Sequence, residues 1–344
     1  DAFLAMAIAA RASDLLIVGG RPVYLRVGTD LLPRTPSVSP EHADRIAKEL
    51  VPARLGEVLE KEGSCDFAME HGAHGRFRVN VSRQRTGVAL SFRVVPREVP
   101  TLASLGLPEA LAAAVRHQRG LVLVTGLASS GTSSTLAALV DQINRETSRH
   151  VVAIEDPIEH VHPRKKGLVS QREVGLHVRS RAAGARAALR QDADVLVLPD
   201  VRDRETARLA LSAAESGRLV LVTMRSPSVA RAVDRWLGLF SPVDADRVRS
   251  SLAASLRAIL GQRLLPSADR SRLHPAVEWL SWSVALDGLL REGRTQEIAG
   301  LQRRGRAPFV LRLEDTIAEL VRSQKVTAEI ARRCAPAELD EARR

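Results

Sequence analysis

The middle of the chain alternates between short apolar runs and longer mixed stretches. The apolar runs lie at residues 120–124, 151–154, 195–198 and 219–223. Runs of this length predict buried β-strands, and the pattern that opens at residues 136–140 predicts a helix after the first of them. Strands that alternate with helices indicate an α/β protein with a mostly parallel sheet. Ligands of such sheets bind beyond the carboxyl ends of the strands.

The segment after the first predicted strand is similar to a phosphate-binding loop. In the pattern G-x-x-x-x-G-K-[ST], backbone N–H groups surround the phosphates, the lysine contacts the β- and γ-phosphates and the hydroxyl binds Mg²⁺. Gly126, Gly131 and Ser133 match this spacing, but the uncharged Thr132 occupies the lysine position. The residues expected at the phosphates are Gly126, Ser129, Ser130, Gly131, Thr132, Ser133 and Ser134. Taken alone, the segment is equally typical of a glycine- and serine-rich turn without a ligand.

Acidic residues follow two of the other predicted strands. Glu155 and Glu159 come after the second strand, and Asp200 comes after the third. A carboxylate in the position of Asp200 holds Mg²⁺ or orients the attacking water in nucleotide hydrolases. The sequence therefore predicts that catalytic carboxylates lie near the loop.

Composition limits the possible partners and compartments. The chain has 344 residues, enough for two domains, and a net charge of +11. Its basic residues are scattered and only 3% of its residues are aromatic, so we expect no nucleic-acid partner. No apolar segment is long enough to span a bilayer, and a peripheral position at an acidic membrane surface is compatible with the charge. The distant Cys65 and Cys334 favour a reducing, cytoplasmic compartment.

Four histidines raise the question of a metal site. His71, His74, His160 and His162 lack acidic or cysteine partners at metal-ligand spacing. We therefore expect them in solvated loops, and expect no metal other than Mg²⁺ at Ser133.

Several longer segments resemble the PilT-like type IV pilus retraction ATPases, also called twitching motility ATPases, of the secretion ATPase superfamily. These segments are R-F-R-V-N at 76–80, I-E-D-P-I-E at 154–159, Q-R-E-V at 171–174, A-L-R at 188–190 and A-A-E-S-G at 213–217. The resemblance runs from about Ala12 to Asp315, and the segments together are far more specific than the loop pattern.

The resemblance implies a three-part architecture. A RecA-like P-loop ATPase core over residues 101–266 is expected to follow a PAS-like α+β domain over residues 1–100. Residues 267–344 are expected to form a helical part. By resemblance, Arg78 and Arg93 match arginines of the amino-terminal domain that contact nucleotide, and ATP or ADP with Mg²⁺ is the expected cofactor.

Members of this family form hexamers, so the resemblance also implies partners. The chain is expected to form a homo-oligomer, or a mixed ring with an intact pilus ATPase, and to work with inner-membrane pilus platform proteins. It is expected in the cytoplasm, at most peripheral to the inner membrane.

Four motifs depart from the family pattern. Thr132 replaces the loop lysine, and Pro199-Asp200 replaces a Gly-Glu pair. Arg225 replaces a histidine, and Asp287 replaces the central arginine of a carboxy-terminal motif at 285–291 that the family needs for retraction. Arg225 is interpreted either as a replacement charge for phosphate or as a solvated arginine.

These departures predict that nucleotide binds weakly and that hydrolysis is weak or lost, with a role in the assembly or regulation of a retraction ring. Two alternatives remain. One is a working retraction ATPase with substituted catalytic residues, and the other is a nucleotide-sensing scaffold that binds without turnover.

Overall fold

The computed structural model of the chain describes residues 1–28, 30–305 and 309–334, without the side chains of residues 35, 36 and 73. The described residues form two units. The first unit comprises the described residues of Asp1–Glu98, Pro157–His160 and Asp269–Arg272. The second comprises those of Val99–Asp156, Val161–Ala268 and Leu273–Arg344. The predicted division into three parts stays a prediction.

The first unit is an antiparallel sheet with helices. Its strands are β1 (Asp14–Val18), β2 (Arg21–Val27), β3 (Asp30–Val38), β4 (Ser64–His71), β5 (Gly75–Gln84) and β6 (Gly87–Val95), in the order β3-β2-β1-β6-β5-β4. Its helices are α1 (Ala2–Ala9), α2 (Pro40–Leu50) and α3 (Gly56–Glu62). Burial alternates along β5, where Phe77, Val79 and Val81 are buried and Arg78 and Asn80 between them are not. One face of this sheet therefore carries the core and the other carries polar side chains.

The second unit is built on an eight-stranded sheet. Its strands are β7 (Gly120–Gly126), β8 (His150–Glu155), β9 (Leu168–Glu173), β10 (Val195–Leu198), β11 (Leu219–Arg225), β12 (Leu256–Pro266), β13 (Leu273–Ser281) and β14 (Val310–Leu311). Their order is β14-β13-β12-β7-β11-β10-β8-β9. The six strands from β12 to β9 pair in parallel, and β13 and β14 pair antiparallel. The predicted α/β class with a mostly parallel sheet is confirmed.

Helices cover both faces of this sheet. They are α4 (Ala113–Arg116), α5 (Thr132–Glu146), α6 (Arg181–Ala188), α7 (Arg204–Glu215), α8 (Val229–Leu237), α9 (Ala245–Ser255), α10 (Val284–Glu292), α11 (Ile298–Arg304), α12 (Leu313–Arg322) and α13 (Ala328–Cys334). Along β7, Leu121 and Leu123 enter one apolar cluster while Val122 and Val124 enter another. Because successive side chains of a strand point to opposite faces, burial on both sides explains the continuous apolar run.

The structure corrects one expectation about the carboxy-terminal part. Residues after 267 were expected to form helices, but β13 lies at Leu273–Ser281 and pairs with β12 over nine positions. Ala276, Val277 and Leu280 are buried there. A short apolar run fits a buried helix or a buried strand equally well, so pairing with β12 decides the outcome.

Within the residues that the structure describes, no helix is long and apolar enough to cross a bilayer.

Candidate functional site

The candidate site is organised around Gly126 at the carboxyl end of β7. In the parallel sheet Arg225 of β11 is the Cα partner of Gly126 on one side, and Gln262 of β12 is its partner on the other. The carbonyl oxygen of Gly126 accepts a hydrogen bond from the backbone N–H of Ser226 at 3.2 Å. The register thus places the guanidinium of Arg225 on one side of Gly126, the residue that opens the loop, and the amide of Gln262 on the other side.

The loop between β7 and α5 has the shape of a phosphate-binding turn. The N–H of Ser130 donates to the carbonyl oxygen of Leu127 at 3.2 Å, and both Ser129 and Gly131 adopt left-handed backbone conformations, with φ of 62° and 83°. Helix α5 begins at Thr132 directly after this turn. The first N–H groups of a helix have no acceptor within the helix, so they are available to an anion.

Gln262 fixes this loop from the neighbouring strand. Its side-chain Nε2 donates to the carbonyl oxygen of Ser130 at 2.9 Å, and its Oε1 accepts from the hydroxyl of Thr135 at 2.6 Å. A Cβ atom on Gly131 would lie 2.8 Å from Nε2, closer than real Cβ contacts allow. Glycine is therefore required there by both the positive φ and the position of Gln262. Gln262 is not among the predicted site residues, although an isolated amide among apolar strand residues was a usable signal.

The loop residues fit the phosphates of a nucleotide in shape but only partly in charge. The buried hydroxyl of Ser130 has no hydrogen-bond partner in the described part of the chain, and it lies close beside Gly126. Ser133 presents an exposed hydroxyl in the first turn of α5, where Ser134 follows it. Thr132 contributes no charge. Within the loop, phosphate would therefore be attracted by the backbone N–H groups and by the dipole of helix α5.

Asp200 is held by two arginines at the carboxyl end of β10. Its backbone is left-handed, with φ of 55°, and its N–H donates to the hydroxyl of Thr223 at 2.7 Å. Arg202 donates a hydrogen bond to one carboxylate oxygen, and Nε of Arg225 lies 3.7 Å from the other. The carboxylate that was predicted to be catalytic is therefore engaged in two ion pairs.

These arginines alter the acidity of Asp200. Burial acts to raise the pKa of its carboxyl, but the hydrogen bond from Arg202 and the charges of Arg202, Arg225 and Arg181 outweigh burial and lower it. Arg181 itself pairs with Asp156 at 3.2 Å. Three arginines and two aspartates thus form a cluster, which we call the arginine–aspartate cluster. Arg202 and Arg181 were not predicted as site residues, because nothing in their sequence neighbourhood distinguishes them in an arginine-rich chain.

Glu155 lies at the end of β8, two strands away from β11. Its Oε1 accepts a hydrogen bond from Nε2 of Gln171 on β9 at 2.7 Å. Glu155 is partly exposed at the end of its strand. Its predicted catalytic role stays a prediction.

Glu159, Arg78 and Arg93 lie in the first unit. Arg78 and Arg93 are directly opposed on β5 and β6, an arrangement of like charges that is unfavourable without counter-ions. Glu159 pairs with Arg78 at 3.0 Å, and Asp14 pairs with Arg93 at 3.0 Å. The two arginines are thus neutralised within their own unit, and their predicted contact with nucleotide stays a prediction.

The altered carboxy-terminal motif lies on α10. Asp287 accepts two hydrogen bonds from Arg291, one turn later, at 2.8 and 3.2 Å. This pair lies on the helix surface, where such ion pairs contribute little to stability. Among the described residues, no group of three or more His, Cys, Asp or Glu side chains is placed to hold a metal ion.

The left-handed serine gives a first test of the loop. Replacing Ser129 by glycine should stabilise the protein by about 1 kcal/mol, because glycine adopts positive φ without a steric penalty. The same change at Ser134, inside α5, should destabilise it by about 0.5–1 kcal/mol. Tryptophan fluorescence in urea measures both, since Trp236, Trp279 and Trp282 all lie in the second unit. Equal effects of the two substitutions would contradict the loop conformation.

Removal of the Gln262 amide gives a second test. Gln262→Leu leaves the buried carbonyl of Ser130 and hydroxyl of Thr135 without partners, which should cost about 2–4 kcal/mol of unfolding free energy. The control is Gln84→Leu, because the side chain of Gln84 bonds only Thr86 among the described residues and lies on an exposed hairpin of the first unit. It should change stability by less than about 0.5 kcal/mol. A Gln262→Leu protein with unchanged stability in urea would show that the amide does not fix the loop.

Comparison with known proteins agrees with this geometry. The family model described as type II/IV secretion system protein matches residues 57–344. The protein YggR of Escherichia coli strain K12 is 36% identical over 298 residues, covering 87% of this chain and 90% of its own length. The type IV pilus retraction ATPase PilT of Pseudomonas aeruginosa is 34% identical over 322 residues, covering 93% of each chain.

A solved structure extends the similarity to the fold. The crystal structure of the pilus retraction motor PilT with bound ADP superposes with a TM-score of 0.85 at 34% identity, covering 99% of this chain and 98% of that one. The expected resemblance is therefore confirmed, and this chain belongs to the type II/IV secretion system protein family, as a PilT-like pilus motor ATPase homologue.

Proposed function

We propose that this chain is a paralogue of the pilus retraction motor that binds nucleotide weakly, hydrolyses it slowly or not at all, and acts in the assembly or regulation of a retraction ring. One observation carries the proposal. The loop keeps its phosphate-binding shape through Gln262, while Thr132 lacks the phosphate-contacting charge and Asp200 is engaged by arginines.

Nucleotide would be held mainly by the backbone of the loop. The N–H groups that begin α5 are available to an anion. The hydroxyl of Ser133 is the ligand that this pattern offers to Mg²⁺. Bound ATP would supply the phosphoryl group, and Mg²⁺ would neutralise part of its charge. Without a lysine, little in the loop distinguishes ATP from ADP, so we expect similar affinities for both.

Asp200 is poorly suited to assist hydrolysis. A general base works best when its pKa lies near the operating pH, and the pKa of Asp200 is lowered from an already acidic value. One carboxylate oxygen accepts the hydrogen bond from Arg202 and the other is buried, so the carboxylate is poorly placed to contact water or hydrated Mg²⁺. An aspartate is one methylene shorter than the glutamate of the family pattern, and site geometry tolerates misplacement of only about 0.5 Å.

A working ATPase with substituted residues is the second candidate, and Arg225 favours it. The residue lies in register with Gly126, its side chain is 58% exposed and its contact with Asp200 is a loose 3.7 Å. A guanidinium released from this contact binds phosphate in bidentate fashion. The nucleotide-sensing scaffold is the third candidate, and it differs from the first in having no ring partner.

The family assignment also supports a ring and its partners. We propose self-association, or co-assembly with an intact pilus ATPase, at inner-membrane pilus platform proteins on the cytoplasmic side. A subunit without turnover still contributes surfaces to such a ring, but it cannot drive motion, since motion needs differential binding of nucleotide states.

Hydrolysis separates the first two candidates. We expect ATP turnover at least 100-fold below that of Pseudomonas PilT assayed in parallel, since loss of one electrostatic donor costs about 2.7–4 kcal/mol of transition-state stabilisation. Thr132→Lys alone should restore only part of it, and addition of Asp200→Glu and Arg225→His should restore more. Gln84→Lys, on an exposed hairpin of the first unit, controls for added charge. Turnover within tenfold of PilT that is lost in Arg225→Ala would establish the working ATPase instead.

Binding without turnover is tested by introducing a negative charge into the loop. Weak, Mg²⁺-dependent binding of ADP and ATP should appear in calorimetry at millimolar nucleotide. Thr132→Asp should abolish it by repelling phosphate, while the acidic first turn stabilises α5 by about 0.3–1 kcal/mol, so unfolding cannot explain the loss. Ser133→Ala should remove the Mg²⁺ dependence. Absence of binding to the unmodified protein would show that the loop is a relic of the fold.

Assembly is tested by mass in solution. Light scattering should show an oligomer of this chain alone, or a mixed oligomer with a pilus retraction ATPase from the same cell. A strict monomer at high concentration under both conditions would exclude the ring and leave the scaffold.

A further inference from the structure

A second concave surface lies at the opposite end of the central strands. It has a volume of about 1060 Å³ and is lined near the starts of β7 and β12 by residues of α4, α9, β13 and α10. Gly126 lies at the other end of the seven-residue β7, roughly 20 Å away at 3.3 Å per residue. This groove is therefore separate from the candidate nucleotide site, and the inference drawn from it does not rest on hydrolysis.

Aromatic side chains form the floor and rim of the groove. Trp279 is buried at the floor, while Trp282 and Phe309 are 42% and 67% exposed at the rim. Backbone bonds fix the rim, because the N–H of Trp282 donates to Arg257 at 2.7 Å and that of Ser281 donates to Phe309 at 2.9 Å. Large exposed aromatic side chains on a hydrogen-bonded backbone are typical of a surface that binds another protein.

Two arginines of the groove lack counter-ions. The half-buried guanidinium of Arg257 donates to the backbone carbonyls of Ala254 and Leu256, and within the described residues neither Arg257 nor Arg116 contacts a carboxylate. Burial of Arg257 and the charge of Arg119 lower its pKa. By contrast, Arg291 in the same groove is paired with Asp287. The groove thus holds cationic charge that a carboxylate from outside would neutralise.

We propose that this groove docks a short acidic peptide segment of another protein, with bulky apolar side chains that pack against Trp279, Trp282 and Phe309. Carboxylates of the segment pair with Arg116 and Arg257. Tryptophan and arginine dominate binding energy at protein interfaces, and here both occur in one concavity. The exposed Glu109 at the edge of the groove disfavours acidic residues there, so it orients the segment with its acidic part toward the arginines.

The test selects peptides against the full chain. A phage library of random 12-residue peptides is panned on the protein, and synthetic peptides of the enriched sequences are titrated by fluorescence polarisation. Enriched sequences should combine Asp or Glu with Trp, Phe or Leu. Trp282→Ser and Arg116→Glu should each weaken binding at least tenfold. Both positions are exposed, so the variants should fold, and their melting temperatures verify this.

Matched controls make the result specific to the groove. Val243→Ser removes an apolar side chain that is 95% exposed and lies outside the groove, and Arg235→Glu reverses an exposed charge on α8. Both should bind within twofold of the unmodified protein. Failure to enrich acidic, apolar peptides would overturn the proposal. So would enriched peptides that bind folded Trp282→Ser and Arg116→Glu as tightly as the unmodified chain.

Discussion

The pairing of β7 between β11 and β12 is the constraint on which the candidate site depends. It aligns Arg225, Gly126 and Gln262 across three strands, although Arg225 and Gln262 lie 99 and 136 positions after Gly126 in the sequence. A shift by one residue would move Val122 and Val124 into the cluster that holds Leu121 and Leu123, and the reverse, so close packing on both faces of β7 opposes it. The packing of the sheet therefore positions the loop, the Gln262 amide that supports it and Arg225 beside it.

The strands and the loop were predictable because their signals are local. The apolar runs and the glycine spacing lie within a few residues, and the predicted run at 195–198 coincides with β10. Gln262 and the ion pairs of the arginine–aspartate cluster were not predictable in this way, although Asp200 and Arg225 were named as site residues, because these contacts depend on pairing between distant strands. The strand β13 was missed for a related reason, since only its pairing with β12 separates it from a helix.

The candidate site matches a phosphate-binding loop in shape more than in charge. The loop lacks a cationic side chain, yet three arginines lie at the neighbouring strand ends, where Asp156 and Asp200 neutralise most of their charge. Such a cluster stabilises the strand ends and keeps Asp200 ionised, whereas catalysis requires a carboxylate that is free to contact water. Positive charge therefore remains near the loop, but most of it is paired with carboxylates of the protein itself.

The left-handed conformation of Ser129 has a consequence for how this molecule can evolve. A serine does not favour that conformation on its own, so the sheet and the Gln262 amide must impose it. Substitutions within the loop can then remove its chemistry while its outline survives. Conversely, substitutions in β12 can destroy the outline without changing any loop residue. The shape of the loop depends on β12, and its reactivity depends on the loop residues themselves. Either property can therefore be lost without the other.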